Sequence, residues 1–320
     1  MKAKRQRAMR MWVGVLAVAL VALAGCGRSP GTPGTTGTAA PTSTSSSPTT
    51  EPTPEPTTTT SEPTTPTSPR PTTSPTIRTT LSGMPVYFVG ESQGHFKLFR
   101  EFRTIRKIDG PISSSISAMM RLTPLDPEYF NPWRSASRVR VTEDAATLMV
   151  DVSADAFRST TVGKELAPVA IQQLVYTALA ASERAGSDAH SVVITVGGQR
   201  YDAWGLVHLE GRWERAPRAE VQAQAWVVNP QEGAVVRAGL VNFTGYGTSF
   251  EGTFTWKVHG LDVRVEKRGT AMGGSMGTFG TVRFSAKLPP GKYVVELVTD
   301  DPSGGEGPGP AVDTKQFTVR

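Results

Sequence analysis

Residues 168–183 read PVAIQQLVYTALAASE, and this stretch sets the fold class. Ile171, Leu174, Val175, Ala178 and Leu179 recur at helical spacing and form one apolar stripe. Pro168 fits only the first turn, where the helix ladder needs no backbone N–H, and Gly186 ends the segment. A helix with one apolar face must cover something, and the flanking residues supply it. On the C-terminal side, Val192 to Val196 is a run of β-type residues, followed by a Gly197-Gly198 turn and a return through Gln199 to Trp204. On the N-terminal side, Val139 and Val141, then Leu148, Val150 and Val152, alternate about Glu143-Asp144-Ala145-Ala146, the pattern of a hairpin. Further out, Pro85 to Val89 and Phe96 to Phe102 read as strands, and Ile112, Ile116, Met119 and Met120 fall at helical spacing after Asp109, Gly110 and Pro111. Strands mixed with two helices predict an α+β domain over residues 84–207, with its helices on one face of the sheet.

Beyond a connector at Leu206 to Glu220 the pattern changes. Residues 221–320 show no helical period, but β-type runs recur near Ala223 to Val228, Leu240 to Gly245, Phe250 to Val258, Val263 to Lys267, Thr278 to Leu288, Lys292 to Thr299 and Gln316 to Arg320. Gly, Pro and Asp separate them, which predicts an all-β sandwich. Phe254, Trp256 and Val258 share a face, as do Val282, Phe284 and Ala286. Tyr293, just after Pro290-Gly291, reads either as a tyrosine-corner analogue or as an ordinary packed strand residue. The connector carries Arg212, Glu214, Arg215, Arg218 and Glu220, yet also Trp213, whose apolar surface is costly to leave in water. It is therefore expected to pack near Trp226 or the end of the Trp204 strand, and to hold the two domains in a fixed relation.

The N-terminal quarter is of another kind. Lys2, Lys4, Arg5, Arg7 and Arg10 precede a continuous apolar run, Met11 to Ala24, which is too short for a bilayer span but suits a signal sequence. Leu23-Ala24-Gly25-Cys26 resembles the lipobox of bacterial lipoproteins, which implies cleavage between Gly25 and Cys26 and a lipid on Cys26, the chain's only cysteine. Residues 1–25 are thus expected to be a signal peptide. Five of the six net positive charges would leave with it, so the basic balance of the whole chain, pI about 9.5, belongs to the signal and nucleic acid is a poor partner. Residues 26–82 are expected to form a disordered tether, since Thr, Ser and Pro fill 39 of the 50 positions from 31 to 80. Such a coil spans roughly 40 Å, or roughly 150 Å when stretched as polyproline.

Two further resemblances follow from particular residues. Val150-Asp151-Val152-Ser153 with Phe157, then Ala170 to Thr177, then Val193 to Trp204-Gly205, resemble in order and spacing the GerMN domain of sporulation and spore-germination proteins. That resemblance implies a small α+β module that assembles side by side and has no catalytic residues; the Ser- and Pro-containing stretch from Thr123 to Ser137 departs from it. Asn229 to Gly233, Gly247 to Thr253 and Pro290 to Tyr293 resemble the immunoglobulin-like domain associated with bacterial spore germination. The expected architecture is an α+β GerMN-like domain followed by an all-β immunoglobulin-like sandwich.

Little in the sequence carries catalytic chemistry. His95, His190, His208 and His259 lie far apart without a zinc-binding spacing, so no metal is expected. Gly273-Gly274-Ser275-Met276-Gly277 matches a nucleophile-elbow string, but no histidine follows His259, and Ser275 reads as a turn residue. Asp300, Asp301 and Glu306 share a loop without calcium-binding spacing. Trp204, Trp213 and Trp226 gather near the domain junction and are the candidate binding surface, with core packing the stronger reading. The sequence therefore points to a non-enzymatic lipoprotein without cofactor, held through Cys26 on the outer face of the cytoplasmic membrane. Its expected partners are other envelope proteins or homologous domains. The alternative is a lipoprotein that binds a wall glycan or small solute.

Overall fold

The computed structural model describes residues 79–301 and 303–320. Gly25, Cys26, the signal segment and nearly all of the expected tether lie outside them. The described residues belong to one compact unit, mostly β, with several sheets and few helices.

The first lobe opens with a long hairpin of β1 (Thr80–Ser92) and β2 (His95–Arg106), turned at Gln93-Gly94, both with positive φ. Strand β1 begins inside the stretch expected to be tether. After α1 (Pro111–Arg121), the short β3 (Tyr129–Phe130) lies beside Val89 and Gly90 of β1. The expected hairpin is β4 (Val139–Asp144) with β5 (Thr147–Val152), closed by Ala145 and Ala146 in left-handed conformations. Helix α2 (Leu166–Ala185) ends at Gly186 with φ +83°. Strand β6 (Ser191–Val196) then runs parallel to β5.

The return after Gly197-Gly198 differs from expectation. Only Val196 and Gln199 bridge, and β7 (Tyr201–Ala203) pairs instead with β8 (Val207–Leu209). The Ser191–Val192 end of the β6 edge is taken by β9 (Trp213–Glu214), while the Asp151 carboxylate accepts the Gly198 N–H at 2.7 Å and fastens the turn to β5.

Helix α2 is also more enclosed than one apolar stripe requires. Ile171, Leu174, Val175 and Ala178 face the main core, while Leu166, Tyr176 and Ala180 join a second cluster with Tyr87, Val89 and Leu98. Elements therefore cover it from two sides, and its buried polar residues serve as backbone partners. Gln173 Nε2 donates to Tyr87 O at 2.8 Å, and Tyr87 N donates to Thr177 Oγ1 at 3.2 Å. The helix thereby satisfies the part of the β1 edge that β3 leaves open.

The second lobe is a sandwich preceded by a short helical turn, α3 (Arg218–Val221). One sheet contains β10 (Ala225–Asn229), β12 (Gly239–Ser249) and β16 (Gly280–Leu288), with β15 (Gly274–Ser275) at the end of β12. The other runs in the order β11 (Ala234–Val236), β18 (Val312–Val319), β17 (Gly291–Thr299), β13 (Thr253–Gly260), β14 (Glu266–Met272). Phe243, Phe254, Val282, Leu297 and Phe317 fill the space between them. The run expected at Val263 to Lys267 is displaced toward the C-terminus, because Val263 and Val265 hydrogen-bond within a tight turn and β14 starts only at Glu266. Tyr293 is fully buried, and its hydroxyl donates to Pro289 O at 2.9 Å, four residues upstream. That bond gives it the tyrosine-corner form.

Candidate functional site: the junction between the lobes

The connector is docked rather than loose. Trp213 sits in β9 opposite Val192, half-buried against the first-lobe core. Gln172 on α2 donates to Glu214 O at 3.2 Å and accepts from Ala216 N at 2.9 Å, and Tyr176 donates its hydroxyl proton to Ala216 O at 2.6 Å. Beyond it, Gln231 clamps the Phe102 backbone from the second lobe. Its Oε1 accepts the Phe102 N–H at 2.7 Å and its Nε2 donates to Phe102 O at 2.9 Å.

One side of the junction is a buried charge network. Lys315 Nζ lies 2.7 Å from both carboxylate oxygens of Asp313, 2.7 Å from the Tyr129 hydroxyl and 2.6 Å from Asp126 Oδ2. The last contact is held by charge without hydrogen-bond alignment. Tyr129 donates to Asp313 Oδ1 at 2.6 Å, and Val227 N donates to Asp313 Oδ2 at 2.7 Å. Behind it, Glu101 is buried and accepts from Leu125 N, Asp126 N and Arg103 Nη1. This anchors the start of the 123–137 segment. Burial works against the Lys315 ammonium, but Asp313 and Asp126 outweigh it and hold its pKa above the ordinary lysine value. Burial pushes the Asp313 carboxyl up, opposed by Lys315. Asp126, Glu128 and Asp313 form an acidic cluster of the kind that holds a metal, yet the ammonium of Lys315 already stands between two of them.

The other side is a cleft of about 90 Å³ whose lining includes Tyr87, Arg100, Tyr176, Arg215, Trp226 and Tyr246, together with Glu183, Arg218 and Gln222. Each guanidinium lies over an aromatic ring: Arg100 over Phe102 at 4.9 Å, Arg215 over Tyr176 at 5.5 Å and Arg218 over Tyr246 at 6.0 Å. Burial pushes the Tyr176 phenol up to about 12 and raises Tyr87 as well, the latter against the pull of the three arginines. Both phenols are therefore neutral donors at neutral pH.

The tryptophans expected to form a binding surface do not share one platform. Trp226 is 1% exposed and packs on Tyr246 and Phe279. Trp204 packs on Trp133 and Phe157, and Trp213 belongs to the β9 edge. Of the three, only Trp226 lines the cleft. Arg100, Tyr176, Arg215 and Tyr246 were not singled out as site residues from sequence. They lie on β2, α2, the connector and β12, and the connector charges alone gave no sign of what they face.

A larger cleft of about 350 Å³ runs beside Phe250, Met276, Asp300 and Asp301. Its carboxylates are already engaged: Asp300 accepts from the N–H groups of Phe250 and Glu251, each at 3.0 Å, and Asp301 accepts from Ser303 and Gly305. Ser275 is exposed in β15, in parallel register with Ser249, and the following Met276 and Gly277 both have positive φ. This is a turn, not the strand-to-helix elbow that a nucleophile would need.

Comparison with known proteins identifies the second lobe. Residues 224–306 match the immunoglobulin-like domain of bacterial spore germination. The match spans β10 to β17 and links the chain to spore germination-related proteins. No curated protein matches the chain. Among solved structures, it is similar to a chain from a study of T cell specificity and activation by the bacterial superantigen toxic shock syndrome toxin-1, at 16% identity and TM-score 0.22, covering 31% of this chain and 99% of that one. An engineered protein is similar at 15% identity and TM-score 0.24, covering 46% of this chain and 36% of the other. Overlap this slight carries no structural argument.

Proposed function

We propose that the chain is a membrane-anchored, extracytoplasmic lipoprotein that acts as a non-enzymatic interaction or assembly module of the cell envelope, with a GerMN-like first lobe. The observation that carries this reading is the spore-germination immunoglobulin-like domain at 224–306, joined to the first lobe through a buried junction instead of a free linker. A rigid pair of lobes presents one continuous surface, which suits assembly with other envelope proteins or with homologous domains. The lipid on Cys26 and the signal rest on the lipobox-like residues at 23–26. In-cell crosslinking followed by affinity capture is expected to recover defined envelope proteins, and capture no different from an untagged control overturns the assembly role. Membrane fractionation of Cys26→Ser is expected to show unprocessed or released protein; an unchanged distribution overturns the lipid anchor.

A further inference from the structure

We infer that the arginine-lined cleft at the junction is a binding site for a small oxyanion of the phosphate class. Three guanidiniums, Arg100, Arg215 and Arg218, face a single carboxylate, that of Glu183, which pairs with Arg215 at 2.5 Å. Among the described residues, Arg100 and Arg218 have no carboxylate within ion-pair distance. The cleft therefore carries an uncompensated positive charge.

Several of the residues that line it also carry buried hydrogen-bonding groups without partners. Arg100 Nε, Arg215 Nε and Trp226 Nε1 are buried donors without a partner, and Gln222 Oε1 is a buried acceptor without one. Trp226 and Gln222 are 1% and 2% exposed, so bulk water does not reach them. Unpartnered buried polar groups are rare in native proteins because each costs roughly 1–3 kcal/mol. Several around one cavity mark a place where something else supplies the bonds. Water would satisfy the donors but leave the charge. An oxyanion does both, and a phosphate that keeps one proton also has a donor for Gln222 Oε1.

Size and rigidity agree with this. About 90 Å³ exceeds the space of a single water and admits a small oxyanion. Stacking on Tyr176, Tyr246 and Phe102 fixes the guanidinium planes in advance, so little side-chain entropy is lost on binding. The groups also come from different parts of the chain: Arg100 from the first lobe, Arg215 from the connector, Trp226 from the second lobe. A bound anion would therefore tie the lobes together. The inference does not depend on the membrane anchor.

The test is calorimetric titration of the purified full chain with inorganic phosphate in Tris-chloride buffer, beside thermal unfolding at each phosphate concentration. One saturable site and a rising melting temperature are expected. Arg100→Gln and Arg215→Gln should each weaken binding by about tenfold or more, the loss of one charge-assisted contact. Trp226→Phe removes the indole donor together with part of the ring system, and a several-fold loss of binding is expected; the melting temperature of every variant without phosphate shows that it still folds, so that a loss of binding is not a loss of fold. Arg264→Gln, in an exposed turn, should change nothing. Glycerol 3-phosphate separates sources: binding as tight as phosphate identifies a phosphate monoester as the ligand, and exclusion identifies the free ion. No saturable heat, equal affinity in all variants, or acetate bound as tightly as phosphate overturns the assignment.

Discussion

The two sides of the junction use the same kinds of residue to opposite ends. Around Lys315, one cation meets two buried carboxylates and a phenol, and both of those carboxylates lie within 2.7 Å of the ammonium. Around Arg100 and Trp226, cations outnumber carboxylates and buried donors on the lining residues have no hydrogen-bond partner. Burial of charge is costly in both places. In the first, the protein satisfies itself and the network acts as a joint. In the second it does not, and the deficit marks a site for another molecule.

That contrast sets the order of the expected effects. Lys315→Met should be the most damaging change, because it leaves Asp126 and Asp313 buried beside each other without their cation. A loss of about 3–5 kcal/mol is expected by urea unfolding, and Lys315→Met with Asp313→Asn should recover part of it. A loss below about 1 kcal/mol would show that the joint is not built on this network.

Gly90→Ala comes next. A Cβ there would lie 2.8 Å from Phe99 Cε2 and 2.9 Å from Tyr129 Cδ1, and those two rings stack at 4.3 Å. Displacing Tyr129 also disturbs its bond to Asp313, so about 1–3 kcal/mol should be lost. Tyr293→Phe is a control inside the second lobe: it removes only the bond to Pro289 O, worth about 1 kcal/mol.

The joint should also have an alkaline limit. Because the Lys315 pKa is raised above its value of 10.5 in the unfolded chain, its contribution is fully present below that value and is lost as pH climbs through the raised one. Unfolding followed upward from about pH 9 should show a drop that Lys315→Met lacks; parallel curves would assign the alkaline loss elsewhere.

The smallest effect is expected on the other side. Without phosphate, Arg100→Gln removes an uncompensated charge and should change stability by less than about 1 kcal/mol, or increase it. A loss as large as that of Lys315→Met would mean that Arg100 already has a partner, and would erase the contrast.

Much of the first lobe was legible because period and punctuation act locally. The 168–183 stripe, Gly186 and the hairpin about Ala145-Ala146 formed as read, since helix, cap and turn depend on neighbours in sequence. The pairing at the β6 edge was not legible, because it depends on Trp213 arriving from farther along the chain. Gln172, Gln173 and Thr177 read as part of a pattern, and their use as partners for the backbone of the connector and of β1 appears only once those segments lie alongside.

Local sequence was enough to set the kind of structure in each lobe: helices and strands in the first, strands in the second. Those outcomes rest on periodicity and turn chemistry within a few residues. What the lone charges do depends on residues far away in the chain. Lys315 meets Tyr129 across 186 positions of sequence, and Arg218 meets Tyr246 across 28. Electrostatic partnership is set by distance in space and by exclusion of water, and neither is fixed until both lobes have folded and closed on each other.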